Sequence, residues 1–233
     1  GPTPSPEARA EALGVDTVHD LSALEERVEA LRKGRILYST PALDPQWQRR
    51  LAALGATPSS LQGQVDRSAP TPLLRALIDL RTHKGPEEIQ EMAWAGALSS
   101  DVHRTLMGAT RPGVRESQLR ALTEGMFTSA GSRPAYDPII TRRGEILHCR
   151  AGEAVLKDGD LLLVDIGGES PGGYAADITR TYPVNGRFSP RQRDIYEVVL
   201  SCQVKAVDAC REGVRYRDLH LQAATWLAEG LKE

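Results

Sequence analysis

DGDLLLVDIGGESPGGYAADITRTYPVNG, residues 158–186, decides how the rest of the chain reads. Residues 161–164 are four consecutive apolar side chains, which predicts a strand buried on both faces and ended by the carboxylate of Asp165. Residues 173–186 alternate with a period of two and finish in the turn-forming Asn185-Gly186, which predicts a returning strand containing Asp177. Reversal about Pro171-Gly172 would set Asp165 and Asp177 directly opposite each other, with Cβ atoms roughly 4.5–5.5 Å apart. Two unpaired carboxylates that close repel, and one or two divalent cations would remove the conflict. Thr179 shares a strand face with Asp177 and Thr181 and is placed to hydrogen-bond a ligand from behind. Turn chemistry is the competing reading of each aspartate, since both lie near glycines, and spacing alone leaves the two readings open.

Outward from this hairpin the pattern is mixed helix and strand. Residues 84–108 place Pro86 at a helix start with Glu87 and Glu88 in the first turn, followed by apolar residues at three-to-four spacing. Residues 116–129 predict a second helix, and residues 136–149 two short extended pieces about a turn at Arg143-Gly144, with His148 at a strand end. Ser189 and Gln192 form a capping box for a helix carrying Ile195, Val198, Val199, Cys202 and Ala206 on one face. A last helix covers 216–230. Before all of these, Ser22 and Glu25 predict a capped helix stopped at Gly34, residues 35–40 a short buried strand, and residues 47–54 a helix ended by Gly55. Residues 57–72 turn to Pro, Ser, Gly and Gln and read as a linker. The expected organisation is α/β (α+β): a partial N-terminal α/β domain over 1–68, then a second domain over 69–233.

Composition bounds the function. The 233 residues are 40% hydrophobic and 26% charged, enough apolar content for a real core. Lys and Arg number 29 against 31 Asp and Glu, so the basic excess of a nucleic-acid or membrane-surface binder is missing. No apolar run approaches the ~20 residues of a membrane span, and the first residues lack the order of a signal peptide. Three widely spaced cysteines, Cys149, Cys202 and Cys210, do not make a disulfide framework. The expectation is a cytoplasmic protein with no nucleic-acid or membrane partner.

The run 158–200, with ILH at 146–148, KGPEEIQEM at 84–92 and DLHLQAATWLAEGL at 218–231, resembles the Xaa-Pro peptidases, aminopeptidase P and prolidase, of the pita-bread metallopeptidases. The resemblance covers roughly 73–233. It implies that the second domain is the first half of a pita-bread catalytic domain. It further implies hydrolysis of an Xaa-Pro bond by water activated between two divalent metal ions, expected as manganese, with cobalt or zinc as options. The family holds its metals with Asp, Asp, His, Glu and Glu. Asp165 and Asp177 match the two aspartates, Asp177 as the ligand shared between metals. His148 matches a catalytic, substrate-contacting histidine. The remaining His and two Glu have no match, so the expectation is part of a longer polypeptide, or a remnant inactive alone. Implied partners are a peptide with proline at its second position and a second copy of the chain, in a homodimer or higher homo-oligomer. A non-catalytic peptide-binding or protein-binding homologue is the alternative. A metal-free creatine-type amidinohydrolase is disfavoured by the paired aspartates.

Other candidates carry less. His103, on an apolar helix stripe, reads as a packed histidine, and His220, His19 and His83 lie far from the strands. Cys202 and Cys210 read as buried small hydrophobes. Cys149 beside His148 is geometrically poor as a nucleophile pair if the two are strand neighbours. Arg180 alternates away from Asp177. Gly167, Gly168, Gly172 and Gly173 fit no phosphate loop and read as turn glycines.

Overall fold

The computed structural model describes residues 4–40, 42, 44–58 and 72–232. The predicted linker lies largely outside them. The chain divides into two compact units, Gly1–Lys84 and Gly85–Glu233.

In the first unit, α1 (Pro6–Ala12) starts under Ser5, whose hydroxyl accepts the Ala8 N–H at 3.2 Å. A 3-10 turn over Leu21–Ala23 leads into α2 (Leu24–Arg32), and β1 (Tyr38–Ser39), α3 (Pro45–Ala53), β2 (Thr57–Pro58) and α4 (Pro72–Thr82) follow. Strands β1 and β2 pair in parallel. Two local expectations change here. The expected Ser22/Glu25 capping box gives way to Asp20, whose carboxylate accepts both the Ser22 N–H at 2.8 Å and the Ser22 hydroxyl at 2.5 Å. The expected strand over 35–40 shrinks to two half-buried residues.

The second unit opens with α5 (Pro86–Ala109), whose first turn closes when Glu88 accepts the Gly85 N–H at 2.6 Å. Helix α6 (Glu116–Ser129) follows, then β3 (Arg133–Pro134), β4 (Ile139–Thr141), β5 (Leu161–Ile166), β6 (Gly168–Glu169) and β7 (Ile178–Pro183). Helices α7 (Pro190–Ala209) and α8 (Tyr216–Gly230) end it, and α7 carries the expected Ser189/Gln192 box. The main sheet is antiparallel in the order β4-β5-β7, while β6 pairs with β3. This is the mixed helix-and-strand class the sequence implied.

Side chains on a strand alternate between faces, and β5 uses that alternation fully. Leu162, Val164 and Ile166 are buried and pack with Ile140 of β4 against Val102 and Leu106 of α5 and Leu119 and Phe127 of α6. Leu161, Leu163 and Asp165 point to the other face and are half-buried. The expectation of a strand buried on both faces is therefore corrected: α5 and α6 bury one face, while the side chains on the other stay half-buried. That single core supplies the apolar burial that fixes the sheet, at roughly 25 cal/mol per Å² of apolar surface removed from water. No helix among the described residues is long and apolar enough to cross a membrane.

Candidate metal and substrate cleft

The site grows out of the β5–β7 hairpin. Its tip is a three-residue loop: the Ser170 N–H donates to the Tyr174 carbonyl at 2.8 Å, and the Gly173 N–H donates back to the Ser170 carbonyl at 2.9 Å. Gly173 has φ +85, the left-handed residue that such a loop requires. The tip is tied to α5, where Glu91 accepts the Gly172 N–H at 3.1 Å and Glu88 accepts the Tyr174 hydroxyl at 2.5 Å.

This loop is centred on Gly172, and the register follows from it. Asp165 pairs with Thr179 and Ile166 with Ile178, so Asp177 lies just before β7, two residues from Asp165's partner. The expected direct opposition of Asp165 and Asp177 is thus corrected to a diagonal. Moving the turn centre by one residue shifts the register by two, and a shift of two keeps the same face. Both carboxylates still converge.

They converge on Tyr136. Its hydroxyl stands 2.6 Å from Asp165 Oδ1 and 3.1 Å from Asp177 Oδ1. Burial and then the hydrogen bond to Asp165 raise the phenol's pKa, with both negative charges adding to the effect, so Tyr136 stays a neutral donor. Sequence reasoning did not find Tyr136, because it lies 29 positions from Asp165 and 41 from Asp177 and carries no local signal. Thr179 does share Asp165's face, but its hydroxyl makes no hydrogen bond to either aspartate; Thr179 instead lines a separate groove between β7 and α7.

A cleft of about 400 Å³ opens over the carboxylates, lined by Tyr136, Asp137, Ile139, His148, Arg150, Asp165 and Asp177. His148 therefore belongs with the aspartates, as the sequence implied, but not at a strand end. It sits exposed in a turn at φ +55, within a loop spanning 142–152. The strand geometry expected for His148 and Cys149 does not apply there. At the rim, Asp137 is held between Arg120 at 2.6 Å and Arg150 at 2.8 Å, which leaves Asp165 and Asp177 as the cleft carboxylates without a basic partner among the described residues.

Several secondary expectations resolve as well. His103 is packed, 3% exposed, with Nε2 at 3.0 Å from the Ile178 carbonyl. Cys202 is buried, but Cys210 is exposed at the end of α7, which corrects its reading as a core residue. Arg180 hydrogen-bonds the Thr179 carbonyl at 2.8 Å and makes no ion pair among the described residues. Gly172 and Gly173 are turn glycines. Gly167 and Gly168 are not: they sit where a Cβ would strike the Ala176 carbonyl and the Phe127 ring.

The donor chemistry fits a hard divalent cation, since two carboxylates without basic partners face one cleft. It is a partial set: no group of three or more His, Cys, Asp or Glu able to hold a metal occurs among the described residues. Asp165 and Asp177 are the residues that could ligate, with Tyr136 orienting them from the protein side.

Known proteins share both this sequence and this fold. The model of metallopeptidase family M24 matches residues 90–233. The Xaa-Pro aminopeptidase of Escherichia coli (strain K12) is 36% identical over 156 residues, 66% of this chain and 35% of that protein. Intermediate cleaving peptidase 55 of Schizosaccharomyces pombe is 30% identical over 230 residues, 94% of this chain and 46% of that protein. Among solved structures, the aminopeptidase PepP of Pseudomonas aeruginosa superposes with a TM-score of 0.80 at 33% identity, covering 97% of this chain and 52% of that one. The chain thus spans about a third to a half of the length of the relatives it matches. With the family model extending over most of the sequence and the aminopeptidase P fold reproduced along nearly all of it, the chain belongs to metallopeptidase family M24.

Proposed function

We propose that this chain forms part of a peptidase that hydrolyses the bond between an N-terminal residue and proline, with Asp165 and Asp177 among the ligands of two divalent metal ions, manganese first. The observation that carries the reading is the convergence of two carboxylates on the Tyr136 hydroxyl in a cleft that also takes in His148. Bound divalent ions would polarise the scissile carbonyl and bring a water's pKa toward neutrality. The chain's own residues supply the rest. Tyr136 holds Asp165 and Asp177 in orientation by donating to them. His148 lines the same cleft, which supports a role in hydrogen-bonding the peptide and carrying a proton near the bond being cut. Asp137, fixed between two arginines, keeps Arg150 at the rim, where its guanidinium can meet a peptide carbonyl or carboxylate. Thr179 stays a candidate for supporting a ligand once metal is bound.

The complete enzyme tests this. Manganese content by elemental analysis and turnover of Xaa-Pro peptides are measured for the parent and for Asp177→Asn. The variant is expected to lose both metal and turnover, and full metal occupancy in Asp177→Asn overturns the assignment.

A further inference from the structure

The most deeply buried acid among the described residues of the second unit lies outside the cleft. Glu116, in the first turn of α6, is 3% exposed, and no basic side chain pairs with it among the described residues. Burying a carboxylate so far from water is costly unless its oxygens are filled. They are filled by two backbone N–H groups and one hydroxyl. Oε1 accepts the Arg142 N–H at 2.8 Å and the Thr141 hydroxyl at 3.3 Å, and Oε2 accepts the Gly152 N–H at 3.0 Å.

Arg142 follows β4 directly and Gly152 lies four residues after His148, so the two bound N–H groups bracket the segment 142–152 that carries His148. One carboxylate therefore fastens both ends of that loop, one oxygen to each. The Gly152 end has a further tie, because the Ser117 N–H donates to the Gly152 carbonyl at 3.0 Å. Between the fastened ends the loop folds over the open face of the sheet, where Gly144 lies close enough to Leu163 that a Cβ would stand 3.1 Å from it. His148 adopts a left-handed backbone, which is uncommon for a non-glycine residue. Only a carboxylate offers acceptors to both ends: a glutamine would turn an NH2 donor toward one of the two N–H groups.

We propose that Glu116 is a positioning residue for His148, setting where the loop 142–152 holds the imidazole relative to Asp165 and Asp177. The consequence for catalysis rests on the function proposed above; the fastening of the loop does not.

The test has an arm for each. In the unmodified chain, amide exchange at Arg142 and Gly152 is expected to be about ten-fold slower than at Leu147 and His148, the factor for a hydrogen bond to a charged acceptor. Glu116→Gln, made with Cys210→Ser, should accelerate thiol labelling of Cys149 by a similar factor. Thr123→Val, at a buried threonine of the same helix, should not. In the complete enzyme, Glu116→Gln should lower kcat/KM for an Xaa-Pro peptide about ten-fold, yet change nothing further when added to His148→Ala. Equal exchange across the loop, or unchanged Cys149 labelling in Glu116→Gln, overturns the fastening. An undiminished effect of Glu116→Gln in the His148→Ala background overturns the positioning role. Should the complete enzyme turn over no Xaa-Pro peptide, the proposed function fails, while exchange and labelling still decide the loop.

Discussion

Gly167 and the carbonyl of Ala176 approach so closely across the hairpin that any Cβ on Gly167 would overlap the carbonyl oxygen. The contact is backbone against backbone, so no side-chain rotation relieves it. Asp177 is the next residue after Ala176, and pushing that carbonyl away moves the aspartate with it. Gly167→Ala is therefore expected to destabilise the second unit by about 3 kcal/mol and to weaken manganese binding by the complete enzyme. Gly96→Ala, in α5 with open space around its would-be Cβ, should instead stabilise by about 0.5–1 kcal/mol. Urea unfolding of both variants checks the pair; equal effects would mean the close approach does not constrain the hairpin.

Tyr136→Phe removes one oxygen and leaves the ring in place. Asp165 then loses a 2.6 Å donor and Asp177 a 3.1 Å donor, and their mutual repulsion is no longer offset. Hydrogen bonds to charged groups contribute about 1.5–3 kcal/mol, and the variant should lose that much stability in the presence of a chelator. Added manganese should restore more stability to Tyr136→Phe than it adds to the parent, because it neutralises the exposed conflict. Thermal melts with and without metal measure the difference.

Ser99 is fully buried on α5, accepts the Gly168 N–H at 2.9 Å and donates to the Ala95 carbonyl at 2.7 Å. Ser99→Ala leaves a buried N–H of the hairpin without a partner and should cost about 1–3 kcal/mol. Ser100→Ala is the comparison, since its hydroxyl only donates back to the Gly96 carbonyl within its own helix, and should change stability by less than about 0.5 kcal/mol. Denaturant midpoints for the two alanine variants separate the outcomes.

The parts of this fold that were legible in advance are those written locally. Helix α6 and helix α8 appear over the stretches expected, and α7 begins at the Ser189/Gln192 box, because period and cap are properties of adjacent residues. The convergence of Asp165 and Asp177 was also legible, since a two-residue register error leaves a side chain on its face. The true register was not: Gly173's left-handed φ and the Ser170–Tyr174 closing bond set it, and Pro171-Gly172 alone admits neighbouring centres. Tyr136 and Glu116 were invisible for a different reason, as their partners are distant in sequence and no spacing rule links them. Ile146 and Leu147 misled in the opposite direction: two apolar residues before His148 read as strand, yet both are exposed on a loop held by backbone bonds to Glu116.

His103 gives the hairpin a pH dependence. Burial lowers its pKa, and Arg180 lowers it further, while the bond to the Ile178 carbonyl and the charge of Asp165 pull the other way without reversing the result. The folded protein therefore binds the proton less readily than the unfolded chain, whose histidines titrate near about 6.5. Above that pH neither state is protonated and the stability is fully present. As pH falls below it the unfolded state takes up a proton that the folded state refuses, and stability drops, by at most about 1.4 kcal/mol per pH unit from this group. His103→Gln keeps a neutral group able to donate to the Ile178 carbonyl and removes the titration. Unfolding free energies of the parent and of His103→Gln at a series of pH values between 7.5 and 5 should converge on acidification, with the parent falling more steeply; parallel curves would show that His103 takes up its proton equally in both states.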